Sequence, residues 1–473
     1  MALTKAHNRM IAGAYVNVLD FGATGDGTTD DTAAIQAALD YAKSSNNNTV
    51  FFPAGEYLVT STLTVAATRT VGYFNTVNLL GVAAHASIIK STLNTGAIID
   101  YTQGASQAYH LQVQISNLGI EQSVAGTDAI GIRMSACVFS KISMCRFQDL
   151  DGDGVQFLNA LGDPDFTVEW TLEHNFFRNC GGRAIATSTP ATGGVAGVRL
   201  IANRVENCNG AFDLSGQGGE IVMNTIANVA GSPTNPDIRL RQDFTTPTKW
   251  SFRNNWIEKG RVGAFLIEGG LDCDFYQNSI IYNDTSSGAY GFKLVGSGAK
   301  HRNRFWGNRF VIDPAITFVA YQDDANTRAC EILESHFQVF AGGSHTKYDL
   351  DQGTGWAIKE EGLQLLSQKQ KMVTSTNSGG SYTPDLLAGT VHRPTFNTAA
   401  TITINNPTGY ATSGTELTLI IINATGGAIT PTFDTMYAAQ SVPSIPGSSQ
   451  IASARFFYDH VSNLFRQVGG WNI

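Results

Sequence analysis

Two groups of acidic residues in this chain have the spacing of a paired-carboxylate site. Apolar pairs recur as Ile130/Ile132, Val155/Phe157, Phe212/Leu214, Ile238/Leu240, Phe265/Ile267 and Phe292/Leu294. If each pair points inward on a strand, alternation sends Gln156, Asp213, Asp237, Arg239, Arg241, Glu268 and Lys293 to the outer face, between and beside the pairs. On adjacent strands Asp213 and Asp237 are offset by two residues, which places them about 8 Å apart. That separation leaves room for a water between a carboxylic acid that protonates a leaving oxygen and a carboxylate that acts as base; Glu268 is a further candidate on the same face. Arg239, Arg241 and Lys293 offer charge to an acidic substrate, with Gln156 as a neutral contact. A ladder of salt bridges, Asp213 to Arg239 and Arg241 to Glu268, is the plainer reading of the same residues.

The second group is Glu206 and Glu258, flanked by Arg204 and Trp256. With Ala227 in the intervening strand, two strand spacings separate the two glutamates by about 9.6 Å, the upper edge of the same range. Tryptophan is a natural platform for a sugar ring, a role open also to Trp170, Trp250 and Trp306. A third stretch, DLDGDGVQFLNALGDPD from Asp149 to Asp165, could serve as a calcium loop, but Asp and Gly are also what tight turns use, and that is the favoured reading. The six cysteines form no Cys-x-x-Cys pair, so no metal centre and no cofactor are expected. Cys180 and Cys208 follow comparable asparagines by the same interval; buried thiols are favoured there over a disulfide.

Those side chains share a face only if the chain forms stacked strands, and a repeat supplies them. An apolar-x-x-Asn-x-apolar unit returns about every 27 residues as LEHNFF, LIANRV, IVMNTI, FRNNWI, FYQNSI and FWGNRF, with looser copies starting at Ile115, Ile142 and Ile332. The copies are short, rich in Phe, Ile, Val and Leu, and bounded by turn residues, so they are strands of a solenoid rather than helices. The expected fold is all-β, a right-handed single-stranded parallel β-helix. Asn175, Asn203, Asn224, Asn255, Asn278 and Asn308 then stack at one corner, adopting the turn conformation and bonding amide to amide; Cys145 and Ser335 fill the slot at the ends.

Composition agrees. Forty-nine Gly, charged residues at 15% and aromatics at 10% suit a turn-rich β protein with a large core. A net charge of −8 without a basic run argues against nucleic acid. No apolar stretch is long enough to insert in a membrane, and no signal core begins the chain.

The N-terminal wording is more specific. VNVLDFGATGDGTTDDTAAIQAALDYA (16–42) followed by VFFPAGEYLV (50–59) reads as strand, Gly-rich turn, amphipathic helix with Ile35, Ala38 and Leu39 on one face, and strand. Such a helix caps the open end of a solenoid. These residues resemble the start of the pectate-lyase-like β-helix domain of bacteriophage tailspikes and of some polysaccharide-degrading enzymes, and LTKAHNRMIAGA (3–14) resembles the segment leading into it.

The resemblance implies a domain order of lead-in (1–15), capped β-helix (16–355), linker (356–374) and small C-terminal β-sandwich (375–473), the last for trimerisation or sugar binding. Short alternating strands such as TITINN and ELTLIIIN fit a jelly-roll type of sandwich, and IKEEGLQLLSQKQK (358–371) has some helical character. It further implies a homotrimer on a virion tail, with other tail proteins as partners, acting on a bacterial surface polysaccharide. The expected activity is endo-glycoside hydrolysis by paired carboxylates. The alternatives are β-elimination, with Tyr276 or Tyr282 as base, and a tail fibre or adhesin that holds glycan without cutting it. The motif sets of polygalacturonases, pectate lyases and alginate epimerases are absent, which counts against each of those activities.

Overall fold

A computed structural model describes residues 14–472 apart from 45–47, 66–68, 71–72, 75, 102–109, 136, 159–166, 188–194, 228–234, 242–247, 259–262, 283–288, 298, 313–317, 340–344, 351–356, 360–371, 378–379, 385–390, 397–401, 408–415, 426, 439–443, 446–449 and 460–463. The lead-in segment and most of the 358–371 stretch thus lie outside the described residues. Two compact units form, Met1–Glu361 and Gly362–Ile473.

The first unit is a parallel β-solenoid whose described residues form sheets of nineteen, twelve and eleven strands. Each coil visits the three sheets in turn, often giving two short strands to the first, as in Thr167–Val168 with Thr171–Glu173, then Phe176–Arg178 and Ile185–Thr187. The pairing runs from coil to coil without slipping: Phe212 pairs with Ile238, Ile238 with Phe265 and Phe265 with Phe292. The inward pairs read from the sequence are buried as expected. At the start of the third sheet Val155 pairs with Ile132 and Phe157 with Met134. Equivalent aromatics stack from coil to coil, Phe252 on Phe275 at 4.9 Å and Phe275 on Phe305 at 4.8 Å.

The asparagine ladder is present, and its turn geometry differs from expectation. Each amide donates to the next carbonyl oxygen, from Asn175 through Asn203, Asn224, Asn255 and Asn278 to Asn308, at 2.9 to 3.0 Å. Each also donates to a backbone carbonyl, such as that of Leu200 for Asn224. The left-handed backbone belongs to the residue before the asparagine: His174, Ala202, Met223, Asn254 and Gln277. The asparagine itself points inward and is buried, so the preceding residue takes the strain of the corner. The Cys145 amide donates to Asn175 Oδ1, ending the ladder where the sequence does.

One α-helix, Thr32–Ser44, buries Ile35, Ala38, Leu39 and Ala42. It packs on the first strands of the coil at Val16–Asn17, Thr49–Phe52 and Leu63–Thr64. Asp31 accepts the amides of Thr24 at 2.6 Å and Gly25 at 3.0 Å, so this acidic residue of the Gly-rich turn fixes the turn itself. The solenoid also runs past residue 355, because Ala357–Lys359 pairs with Glu331–Leu333.

In the second unit a six-stranded and a three-stranded sheet enclose one apolar core that includes Phe396, Ile404, Leu419 and Phe456. This is a two-sheet sandwich. Parallel pairs such as Ser381–Tyr382 with Ile402–Ile404 separate it from an antiparallel jelly roll. All six cysteines are buried free thiols. The neighbouring Cys208 thiol, together with burial, pushes Cys180 well above the ordinary thiol range.

Candidate functional site

The third sheet carries a cluster of charge on its outer face. Arg133, Gln156, Ala186, Asp213, Arg239, Leu266 and Lys293 follow one another in register along a single file. Gln156 accepts a hydrogen bond from Arg133, which also faces Asp100 at 3.7 Å. Lys293 sits 5.3 Å above the Tyr290 ring.

Asp213 lies at the centre of the cluster. Its position between Phe212 and Leu214 turns it outward, yet it is only 8% exposed. Arg241 Nε lies 2.9 Å from its Oδ1, and Arg183 Nη2 and Arg239 Nη1 each lie 3.8 Å from its Oδ2. Arg239 turns its other edge to Glu268 in a two-point contact of 3.1 and 2.9 Å. Arg241 also donates to the Thr187 carbonyl. The expected pair of Asp213 with Arg239 therefore forms, whereas Arg241 also meets Asp213 and Arg239, not Arg241, meets Glu268.

Asp237, two residues ahead of Arg239, is 3% exposed. The expected two-residue offset from Asp213 holds, since Asp213 pairs with Arg239. The backbone carbonyl of Asp237 accepts the amides of Ala211 and Phe212, which locks its segment to the preceding coil. Burial pushes the Tyr282 and Tyr290 phenols above their ordinary value, and Asp237, whenever it is ionised, adds to that.

Arg183 is the residue that sequence reasoning missed. It is 6% exposed, and it donates to the Pro236 carbonyl at 2.7 Å. Burial holds its guanidinium below the usual arginine range, while Asp213 beside it works the other way. The Arg183 amide is in turn gripped by Asp153 Oδ1 at 2.7 Å. A signal was available: GGRAI, NGAF and NPDI are equivalent turns on consecutive coils, and only the first holds a long cation.

The second sheet presents the other expected pair. Glu206 pairs with Ala227 and Ala227 with Glu258, so the two glutamates stand two coils apart in one file. Beside them run Arg204, Thr225 and Trp256, also in register. Arg204 Nε donates to Glu206 at 2.6 Å, and Trp256 Nε1 donates to Glu258 at 3.4 Å.

Other expectations are corrected. Trp170 and Trp250 lie in the core at 0% and 1% exposure, where each indole N–H meets a backbone carbonyl, so neither can face a ligand. Tyr282 is likewise internal at 1% and donates to the Tyr290 carbonyl. Tyr276 is on the first sheet beside Trp306, apart from the arginines of the third. In the acidic stretch, Asp151 accepts the Gly126 amide, Asp149 the Asn179 side chain and Asp153 the Arg183 amide, which are turn-holding roles. Residues 159–166 of that stretch fall outside the described ones. Among the described residues no group of three or more His, Cys, Asp or Glu is placed to hold a metal.

Residues 15–234 match the family model described as rhamnogalacturonase A/epimerase, pectate lyase-like. Mannuronan C5-epimerase AlgE1 of Azotobacter vinelandii is 65% identical over 43 residues, which is 9% of this chain and 3% of that protein's length. The DFA-IIIase of Arthrobacter chlorophenolicus A6, solved without its lid, superposes with a TM-score of 0.56 at 13% identity, covering 74% of this chain and 94% of that one. That likeness is one of fold. ORF18 of Geobacillus virus E2 covers 69% of this chain and 61% of its own at 19% identity, with a TM-score of 0.44.

Proposed function

This chain is a pectate-lyase-like parallel β-helix protein, and from that premise we propose that it binds a bacterial surface polysaccharide and cuts it by hydrolysis at the third sheet. The observation that carries this reading is the convergence of Arg183, Asp213, Asp237, Arg239 and Arg241 on the outer face of a strand stack. Desolvating charges there costs stability, which supports reading the cluster as a functional site.

In this reading Asp213, held in its ionised form by the arginines beside it, is the base that draws a proton from water, and Asp237, carrying a proton when substrate binds, is the acid that protonates the leaving oxygen. Glu268 holds Arg239, and Arg239 with Lys293 contacts the sugar. Elimination is the weaker reading, because burial pushes the phenols of Tyr282 and Tyr290 upward and leaves neither as a ready base. The tail-protein and homotrimer assignments rest on the resemblance of Val16 to Val59 to tailspike domains.

The test is to incubate the protein with capsule and lipopolysaccharide from a panel of bacteria, then follow chain length by mass spectrometry and the ultraviolet absorbance of unsaturated uronates. Shortened chains without that absorbance are expected. Shortened chains with it make the protein a lyase, and intact chains held on the protein across the panel make it an adhesin.

A further inference from the structure

The outer face of the second sheet carries a notch that the third-sheet chemistry does not use. Trp256 is 41% exposed, and its neighbours in register are Thr225 on one side and Ser279 on the other. Both are too short to cover an indole. In the adjoining file Ala227 separates Glu206 from Glu258. The coil of Thr225 and Ala227 is therefore a low floor between two taller walls, Arg204 with Glu206 and Trp256 with Glu258.

The walls stand about 9.6 Å apart at strand spacing. A ring stacked on the indole at about 3.5–4.0 Å leaves about 6 Å to the opposite wall, which the long side chains of Arg204 and Glu206 can span to reach its hydroxyls. The indole is oriented by its N–H to Glu258. Glu206 is engaged by Arg204 and Glu258 by Trp256, each within its own strand, so the two carboxylates are not aimed at each other across the floor. That geometry suits acceptors for sugar hydroxyls better than an acid and a base sharing one bond. The charge is also informative: Arg204 and Arg178, which pairs in register with Glu206, balance Glu206 and Glu258. A balanced site has no net attraction for a uronate.

We infer that this notch is a second, non-catalytic glycan site that takes one uncharged hexopyranose residue, stacked on Trp256 and hydrogen-bonded by Arg204, Glu206 and Glu258. It rests on the polysaccharide reading only in taking a glycan as ligand.

The test titrates the full chain with three named probes, maltohexaose, cellohexaose and an alginate hexamer, and reads tryptophan fluorescence and calorimetric binding. At least one uncharged hexamer should bind, and more tightly than the alginate hexamer. Ala227→Arg, which fills the floor, should weaken that binding at least tenfold, and Trp256→Ala should do the same. Val311→Arg, two coils further along the file of Glu258, should leave it unchanged, with melting curves showing that each variant is folded. Binding should persist in Asp213→Asn, so loss of cutting and loss of notch binding are read apart. The inference is overturned if no uncharged hexamer binds, if the alginate hexamer binds as tightly and loses that binding in Ala227→Arg, or if Ala227→Arg binds the uncharged hexamer like the parent.

Discussion

The Arg183 side chain crosses directly over Gly210. The two residues stand equally far ahead of Ile185 and Phe212, which pair in register, and Pro236 holds the same place on the next coil. To reach the Pro236 carbonyl, the guanidinium passes the intervening coil, where a Cβ on Gly210 would lie 2.2 Å from Arg183 Nη1. Gly210 also has φ +109°, which side-chain-bearing residues rarely adopt. One glycine thus serves both the turn and the arginine above it.

Gly210→Ala should therefore cost about 2–4 kcal/mol of stability, combining backbone strain with overpacking, and should displace Arg183 from Asp213. Denaturant unfolding and turnover of the shortened-chain assay read the two effects. Parent-like values for both would show that Arg183 has another way to its partners.

Asp213→Asn keeps the shape of the side chain and removes its charge. Arg183 and Arg241 are then left together at low exposure without their shared carboxylate, so a loss of about 3–5 kcal/mol is expected along with loss of hydrolysis. Asp237→Asn should also abolish hydrolysis. If either variant cuts polysaccharide at the parent rate, the carboxylate pair is elsewhere.

The ladder should be fragile at its middle. Asn224→Ala removes the acceptor of the Asn203 amide groups and the donor to Leu200 and Asn255, all buried. Groups left without partners there should cost about 2–4 kcal/mol. Equilibrium unfolding would measure it, and a cost under about 1 kcal/mol would mean that the ladder positions side chains without holding the coils together.

The N-terminal cap should weaken in acid. Asp26 accepts the amides of Thr29 and Thr28 and the Thr29 hydroxyl, which hold its carboxyl well below the usual range. Asp30 is lowered chiefly by the Thr32 hydroxyl. Because the folded values are depressed, this stabilisation is complete above the ordinary aspartate value of about 3.9 and is lost as pH falls through the folded values. Asp26→Asn and Asp30→Asn together should flatten the melting temperature below about pH 4 relative to the parent. Two superimposable pH profiles would rule out this contribution.

What the sequence determined by itself was everything that follows from the coil repeat. The Asn175 to Asn308 series marks equivalent corners, and once corners are aligned the hydrogen-bond ladder fixes strand register, because a one-residue slip turns every core residue outward. For that reason Glu206, Ala227 and Glu258 fall in one file, and Asp213 lies opposite Arg239, as their spacing implied. Tertiary structure alone decided what an outward side chain meets. Asp213 and Trp256 both point away from the core, yet one is 8% and the other 41% exposed. The difference lies in neighbours drawn from other coils, whose turn lengths vary independently of strand register. The aligned turns GGRAI, NGAF and NPDI single out Arg183 as a long cation, but that it passes over Gly210 to the Pro236 carbonyl and meets Asp213 depends on how three coils stack.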